Sequence, residues 1–198
     1  MNIEHFRQLL IDLESYLNET NAPILEILNP GLSHDRVQNA FASLSLPEEV
    51  FVLYEWKNGS VIKDRHTLAK NWLFKMGIFI SAKEAFELYN KKVNLDEFWT
   101  KNLIPLFKSG GGEFFLIDSN TESPTYRMIF FHSASAVDYD TMISRFDSLE
   151  TLFATVLECF QLGIYKYNFE SKMLDFDTIA ERRVAKKYNI KADFYKLA

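Results

Sequence analysis

The chain has 198 residues and a mass of 23.1 kDa; 47% of the residues are apolar, 25% are charged, and the formal net charge is −5. A single domain of that length buries about two-thirds of its unfolded surface and needs no staple, while the composition excludes general disorder. One cysteine, Cys159, excludes an internal disulfide, and the charged opening MNIEHFRQLL reads as neither signal peptide nor membrane span, so the cytoplasm is the expected compartment. Aromatic residues are abundant, with 18 Phe, 9 Tyr and 3 Trp, and predict a thick, ring-rich core. Charge is divided along the chain: residues 1–177 carry 16 Lys/Arg against 25 Asp/Glu, and residues 178–198 carry 6 against 2. An acidic body is unsuited to nucleic-acid phosphates and suited to a basic protein partner.

In chain order, Ile3, Phe6, Leu10, Leu13 and Leu17 step by three or four and form one stripe of an amphipathic helix. Asn29-Pro30-Gly31 breaks the chain. Ser33 is then placed to cap a second helix running to about Leu44. Pro47 suits the first position of a third helix. Glu48 and Glu49 complement its dipole, and Asn58-Gly59 reads as its left-handed stop. The run Asn71–Ile80 reads as a strand with Gly77 at a bulge.

Ser81-Ala82-Lys83-Glu84 is a capping box for a helix to about Lys92, and Phe98 and Trp99 are expected to anchor the following linker. Leu103–Phe107 reads as a strand, placed at a sheet edge by Pro105. Gly110–Gly112 turn the chain into a strand over Glu113–Asp118, and a polar turn at Ser119–Pro124 leads to a strand over Thr125–His132, an antiparallel hairpin. Asp147-Ser148-Leu149-Glu150 reads as a second capping box, opening an apolar helix that Gly163 ends. Thr178 to about Tyr188 reads as a last, basic helix bearing Arg182, Arg183, Lys186 and Lys187, for which docking onto the acidic body is expected. The elements predict a single α+β domain with a mixed or mainly antiparallel sheet and helices packed around it. Residues 1–165 form the body and 166–198 a basic, helical extension.

No constellation for catalysis emerges. The triple glycine lacks the lysine and hydroxyl of a phosphate loop. His5, His34, His66 and His132 show no paired metal spacing, leaving only a site assembled from distant residues, such as His132 with Asp118. Cys159 falls on the buried side of its helix, no serine lies in a nucleophile elbow, and the carboxylate pairs read as dipole compensation or solvated surface. No cofactor and no metal are therefore expected. The residues that suit binding are the acidic groups Glu113, Asp118, Glu122, Asp138 and Asp140 at the ends of the predicted hairpin, with Tyr126 and Tyr139 among them. Carboxylates around an aromatic anchor favour a basic protein partner, and scattered solubilising charge is the alternative.

The order of features carries a resemblance. A leading helix followed by Gly31, Leu46-Pro47-Glu48-Glu49 and Asn58-Gly59 resembles the opening of the SUKH superfamily, which includes bacterial contact-toxin immunity proteins and the yeast cell-wall synthesis regulator. Ile104-Pro105-Leu106-Phe107, the glycine turn and Phe114-Phe115-Leu116-Ile117-Asp118 resemble its central strand pair, and Phe146-Asp147-Ser148-Leu149 with the helix after it resembles its closing element. The similarity spans about residues 1–165. Glu113 stands where the superfamily usually has Asp after the glycines, and Ser60 where another glycine is usual.

The resemblance implies an α+β fold without a catalytic centre. Its recurring residues Leu46, Pro47, Asn58, Gly59, Pro105, Gly111, Gly112, Asp118 and Phe146 read physically as turn-makers and core anchors. It further implies an immunity protein that occludes a contact-delivered, polymorphic toxin, such as a basic nuclease or deaminase domain, with no direct contact to nucleic acid or membrane. A regulatory scaffold with several partners is the alternative; an unrecognised hydrolase using His132 and nearby carboxylates is a third.

Overall fold

The N-terminal stripe folds as α1 (Ile3–Glu19), capped by the Asn2 side chain and burying Phe6, Leu10, Leu13 and Leu17. The structure is a computed structural model that describes residues 2–42, 44–62, 68–95, 99–133 and 142–196. Burying each of those four side chains contributes about 1.5–3 kcal/mol. Polar ties fix the helix's rotation: Trp56 Nε1 and Lys57 Nζ donate to the two Glu14 oxygens at 2.7 and 2.6 Å, and Arg7 pairs with Glu55 at 2.8 Å.

Strand β1 (Leu28–Pro30) pairs antiparallel with β2 (Lys57–Ser60), with α2 (His34–Ala40) and α3 (Glu48–Trp56) between them. Asn58-Gly59, expected to stop α3, instead lies within β2: the helix ends at Trp56 and the chain extends at once. Gly59 is needed for another reason. Its φ is +74°, and a Cβ there would lie 2.3 Å from the Ser81 backbone nitrogen. Helix α2 is also shorter than expected, ending at Ala40 before Ala42 turns left-handed at φ +51°, and Ser33 makes no side-chain cap bond.

The strand expected over Asn71–Ile80 is mostly a turn. A 3-10 turn covers Leu68–Asn71, Phe74 and Gly77 form an isolated bridge, and only Ile78–Phe79 (β3) is extended. The Phe74 ring sits where a Gly77 Cβ would be, 2.4 Å away, so this apolar run is buried by folding back on itself. Helix α4 (Ala82–Lys92) starts where predicted, with Ser81 Oγ accepting from the Glu84 N–H, while the Glu84 carboxylate pairs with Lys108 instead of closing the box.

The main sheet runs β3–β4–β5–β6–β7 in chain order, antiparallel throughout, adding β4 (Leu103–Lys108), β5 (Glu113–Asp118), β6 (Ile129–Ser133) and β7 (Met142–Phe146). Strand β4 is flanked on both sides and is not the edge that Pro105 predicted. β3 pairs only with Phe107 and Lys108, which leaves Pro105, unable to donate, beyond its reach. Alternation along β5 sends Phe115 and Ile117 into the main core against α1, α3 and α5 (Leu149–Gln161). Phe114 and Leu116 pack on the opposite face with Trp99. Trp99 is anchored as expected, its Nε1 donating to the Leu103 carbonyl at 2.8 Å; Phe98 lies outside the described residues.

The α5 cap is shifted by one residue from its predicted box: Ser148 is the N-cap and Thr151, not Glu150, closes the reciprocal pair. Beyond Gly163 (φ +66°) the hairpin β8 (Tyr165–Tyr167) and β9 (Leu174–Phe176) leads to α6 (Thr178–Tyr188), capped by Asp177, and to the short α7 (Asp193–Lys196). Helix α6 lies on α5 with Val184 in the main core, and Lys187 bonds Glu158 at 2.7 Å. Helix α7 lies along β7, the last strand of the sheet, where the Ser144 hydroxyl takes the Asp193 N–H at 2.8 Å and donates to the Asp193 carboxylate at 2.9 Å. An edge strand covered in this way is shielded from pairing with another chain.

Candidate protein-binding surface

Asp118 ends β5, and the polar chain after it folds back through its carboxylate. Its Oδ1 accepts from the Asn120 N–H at 2.9 Å, its Oδ2 from the Thr125 hydroxyl at 2.8 Å, and its carbonyl from the Arg127 N–H at 2.7 Å. Asn120 repeats the device on the Glu122 N–H at 3.1 Å, and Ser119 is tied back to the Asn102 carbonyl. Short Asp, Asn, Ser and Thr side chains make such local bonds readily, which is why this stretch turns rather than extends. The turn continues through Met128, so β6 starts at Ile129 and not at Thr125. Arg127 adopts φ +74° in making it.

Of the seven candidate residues, three gather here. Asp118 is 5% exposed with both oxygens engaged, Glu122 is exposed, and Tyr126 is half-buried. Glu113 lies at the other end of β5, about 17 Å away along a six-residue strand. There it accepts a hydrogen bond from Ser109 beside the glycine turn, where Gly110 and Gly112 take φ +97° and +107°. Asp138, Tyr139 and Asp140 lie outside the described residues. His132 pairs in register with Phe114, towards the Glu113 end of the hairpin, and packs edge-on against Trp99 at 5.6 Å, so it does not meet Asp118. Among the described residues no three His, Cys, Asp or Glu side chains come together as a metal site.

Beneath the turn is a pair that no local pattern announces. Glu49, read as dipole compensation for its own helix, is 0% exposed; its two oxygens accept from Arg127 Nε at 3.2 Å and Nη2 at 3.1 Å. It also accepts from the Leu149 backbone N–H, so the helix end it complements is that of α5. Burial pushes the Glu49 carboxyl above the usual carboxylate value, against the pull of Arg127. A second support is the packing of Met128 against Ala185, Ala192 and Tyr195, which seats the end of the turn on the C-terminal helices.

The remaining candidates for chemistry are spent on structure. Cys159 is buried in α5, and burial, with Glu181 and Glu158 nearby, pushes its thiol up to about 12, the reverse of what a catalytic thiolate needs. Glu181 is also raised by burial, although Lys75 lies 3.4 Å away. No helix among the described residues is long and apolar enough to cross a membrane.

The architecture is that of a single-domain α+β protein with antiparallel sheets, one end of whose central hairpin is a tightly bonded polar turn. The SMI1/KNR4 family (SUKH-1) matches residues 33–155, more than half of the chain, and the chain belongs to that family. The match runs from the cap of α2 into α5 and so includes the turn, Glu49 and Arg127. Membership is compatible with an immunity or a regulatory role and points to protein partners. No curated protein matches the chain in sequence.

Proposed function

We propose that this chain is a non-catalytic immunity protein of the cytoplasm that neutralises a contact-delivered toxin, such as a basic nuclease or deaminase domain, by covering its substrate channel. The observation that supports this reading best is the turn after Asp118. Its polar groups are bonded internally and its base is clamped by Arg127 on Glu49, so Glu122 and Tyr126 are offered on a frame that loses little freedom on binding. In this reading Tyr126 is the aromatic anchor, Glu122 steers the basic partner, and Asp118 shapes the loop. Glu113 would extend the acidic surface from the far end of the hairpin, and Asp138, Tyr139 and Asp140 are assigned to it from the sequence alone. A scaffold with several partners is favoured by a free basic tail, whereas here Lys187 is bonded to Glu158 and α6 is packed on α5.

The test is a low-salt pull-down from lysate and secreted fractions of the source cells, eluted with a salt gradient and repeated with Tyr126→Ala and Glu122→Lys. A single basic toxin domain whose activity the protein abolishes is expected, held at least about 30-fold less tightly by Tyr126→Ala, the equivalent of a hot-spot loss of about 2 kcal/mol. Glu122→Lys should slow association most at low salt. Several unrelated partners with no activity lost would replace the immunity reading with the scaffold. A toxin bound equally well by both variants would move the contact to another face.

A further inference from the structure

The C-terminal helices close over a cavity that the proposed toxin contact does not use. It measures about 130 Å³ and lies between β6, β7, the turn before β3, and helices α6 and α7, walled by the rings of Phe74, Phe115, Phe131 and Phe194. Arg145 projects into it from β7, with its guanidinium 3.4 Å from the Phe194 ring centre and 5.0 Å from that of Phe131. The two rings cover the guanidinium but accept no ordinary hydrogen bond from its edge, and Nε is buried with no hydrogen-bond partner among the described residues. Arg182 at the rim lies 4.8 Å from the Phe194 ring centre. The one carboxylate lining the cavity, Glu181, accepts from the Tyr165 hydroxyl and lies 3.4 Å from Lys75 through Oε2, which has no hydrogen-bond partner among the described residues. Three cations, Lys75, Arg145 and Arg182, thus face one anion.

We propose that this cavity binds a small aromatic carboxylate, its single six-membered ring held among the phenylalanines and its carboxylate paired with Arg145, with Arg182 as the second cation. The cavity, about 130 Å³ against the roughly 150 Å³ of an apolar cavity that accommodates benzene, takes a single ring and no more, so the carboxylate lies at the rim, where Arg145 and Arg182 meet it. The chemistry fits as well, because a planar guanidinium with unused edge donors matches a carboxylate two bonds at a time. The surrounding rings exclude the water that would otherwise compete. The site is independent of the toxin-binding reading and stands or falls without it.

The test uses the full chain and fluorine NMR titrations with 4-fluorobenzoate and its neutral isostere 4-fluorobenzamide. Saturable one-to-one binding of the benzoate is expected at millimolar concentration or below, at least tenfold tighter than the benzamide. Arg145→Gln should erase that preference. Arg182→Gln, at an exposed position whose loss leaves the fold intact, should weaken the benzoate severalfold and leave the benzamide unchanged. Thr178→Trp, at the mouth, should weaken both ligands. Binding that does not saturate, equal affinity for the two ligands, or benzoate affinity unchanged in both arginine variants would overturn the proposal.

Discussion

Replacing Arg127 with methionine leaves the Glu49 carboxylate buried with its counter-charge gone, retaining only the Leu149 N–H. Removing one partner of a buried ion pair costs about 3–5 kcal/mol, a large share of the roughly 5–15 kcal/mol that holds a domain together. For a chain of this size that corresponds to a fall in Tm of roughly 6–20 °C. The reverse change, Glu49→Gln, should be milder, about 1–2 kcal/mol: the amide still accepts from Leu149, and the Arg127 side chain is 22% exposed and can turn to water. The double variant should be more stable than Arg127→Met alone, since neither charge is then stranded. Acid should act in the same direction. Glu49's folded pKa lies above its ordinary 4.5, so the group opposes folding increasingly as pH rises through the folded value. The Arg127→Met deficit should therefore shrink between pH 7 and pH 5. Urea unfolding at both pH values, with midpoints compared at constant slope, measures all of this. A Glu49→Gln variant as damaged as Arg127→Met, or strictly additive effects in the double variant, would refute the account.

Other consequences are as direct. Gly31→Ala places a Cβ 1.8 Å from the Glu55 carbonyl oxygen, so the chain leaving β1 must part from α3 at a cost of about 2 kcal/mol or more, read as a lowered urea midpoint. Cys159 should resist iodoacetamide in the native state at pH 8 and react fully in urea, because its thiol is buried and raised to about 12; rapid native labelling would contradict that burial. Lys196 and Ser144 hold the Asp193 carboxyl below its ordinary 3.8. The attachment of α7 to β7 is therefore fully present above that value and weakens as pH falls through the folded one. Amide protection around Asp193, corrected for the intrinsic exchange rate at each pH, should fall in acid in the parent and lose that pH dependence in Asp193→Asn.

Where local chemistry decides the structure, the sequence was legible. Helix α1 follows from its three-and-four stripe, α4 from its capping box, and β5 and the glycine turn from an apolar run beside residues suited to left-handed φ. Strand β7 gave no such signal: Met142–Phe146 puts Ser144 inside, where its need for a partner is met by Asp193, 49 residues on. The run from Asn71 to Ile80 misled because periodicity cannot distinguish an extended buried run from one folded around Phe74 and Gly77. The turn of the candidate surface could be read from its polar residues; its clamp could not. Glu49 and Arg127 are 78 residues apart, and a glutamate in a Glu-Glu pair at a helix start carries no mark of being the buried one.

The order of the main sheet has a consequence for how the chain is made. Each of its strands pairs with a chain neighbour, so the sheet assembles progressively as it leaves the ribosome. Helix α1 receives α3 early, but its other cover is α5, where Phe6 meets Phe153 with ring centres 5.8 Å apart and the Tyr16 hydroxyl bonds the Phe160 carbonyl at 2.8 Å. At roughly 5–20 residues per second, α1 waits on the order of 7–30 s after its own synthesis for that surface to exist. Helix α1 is thus sealed long after it is made, and its apolar stripe is a segment of the nascent chain that a chaperone has time to hold.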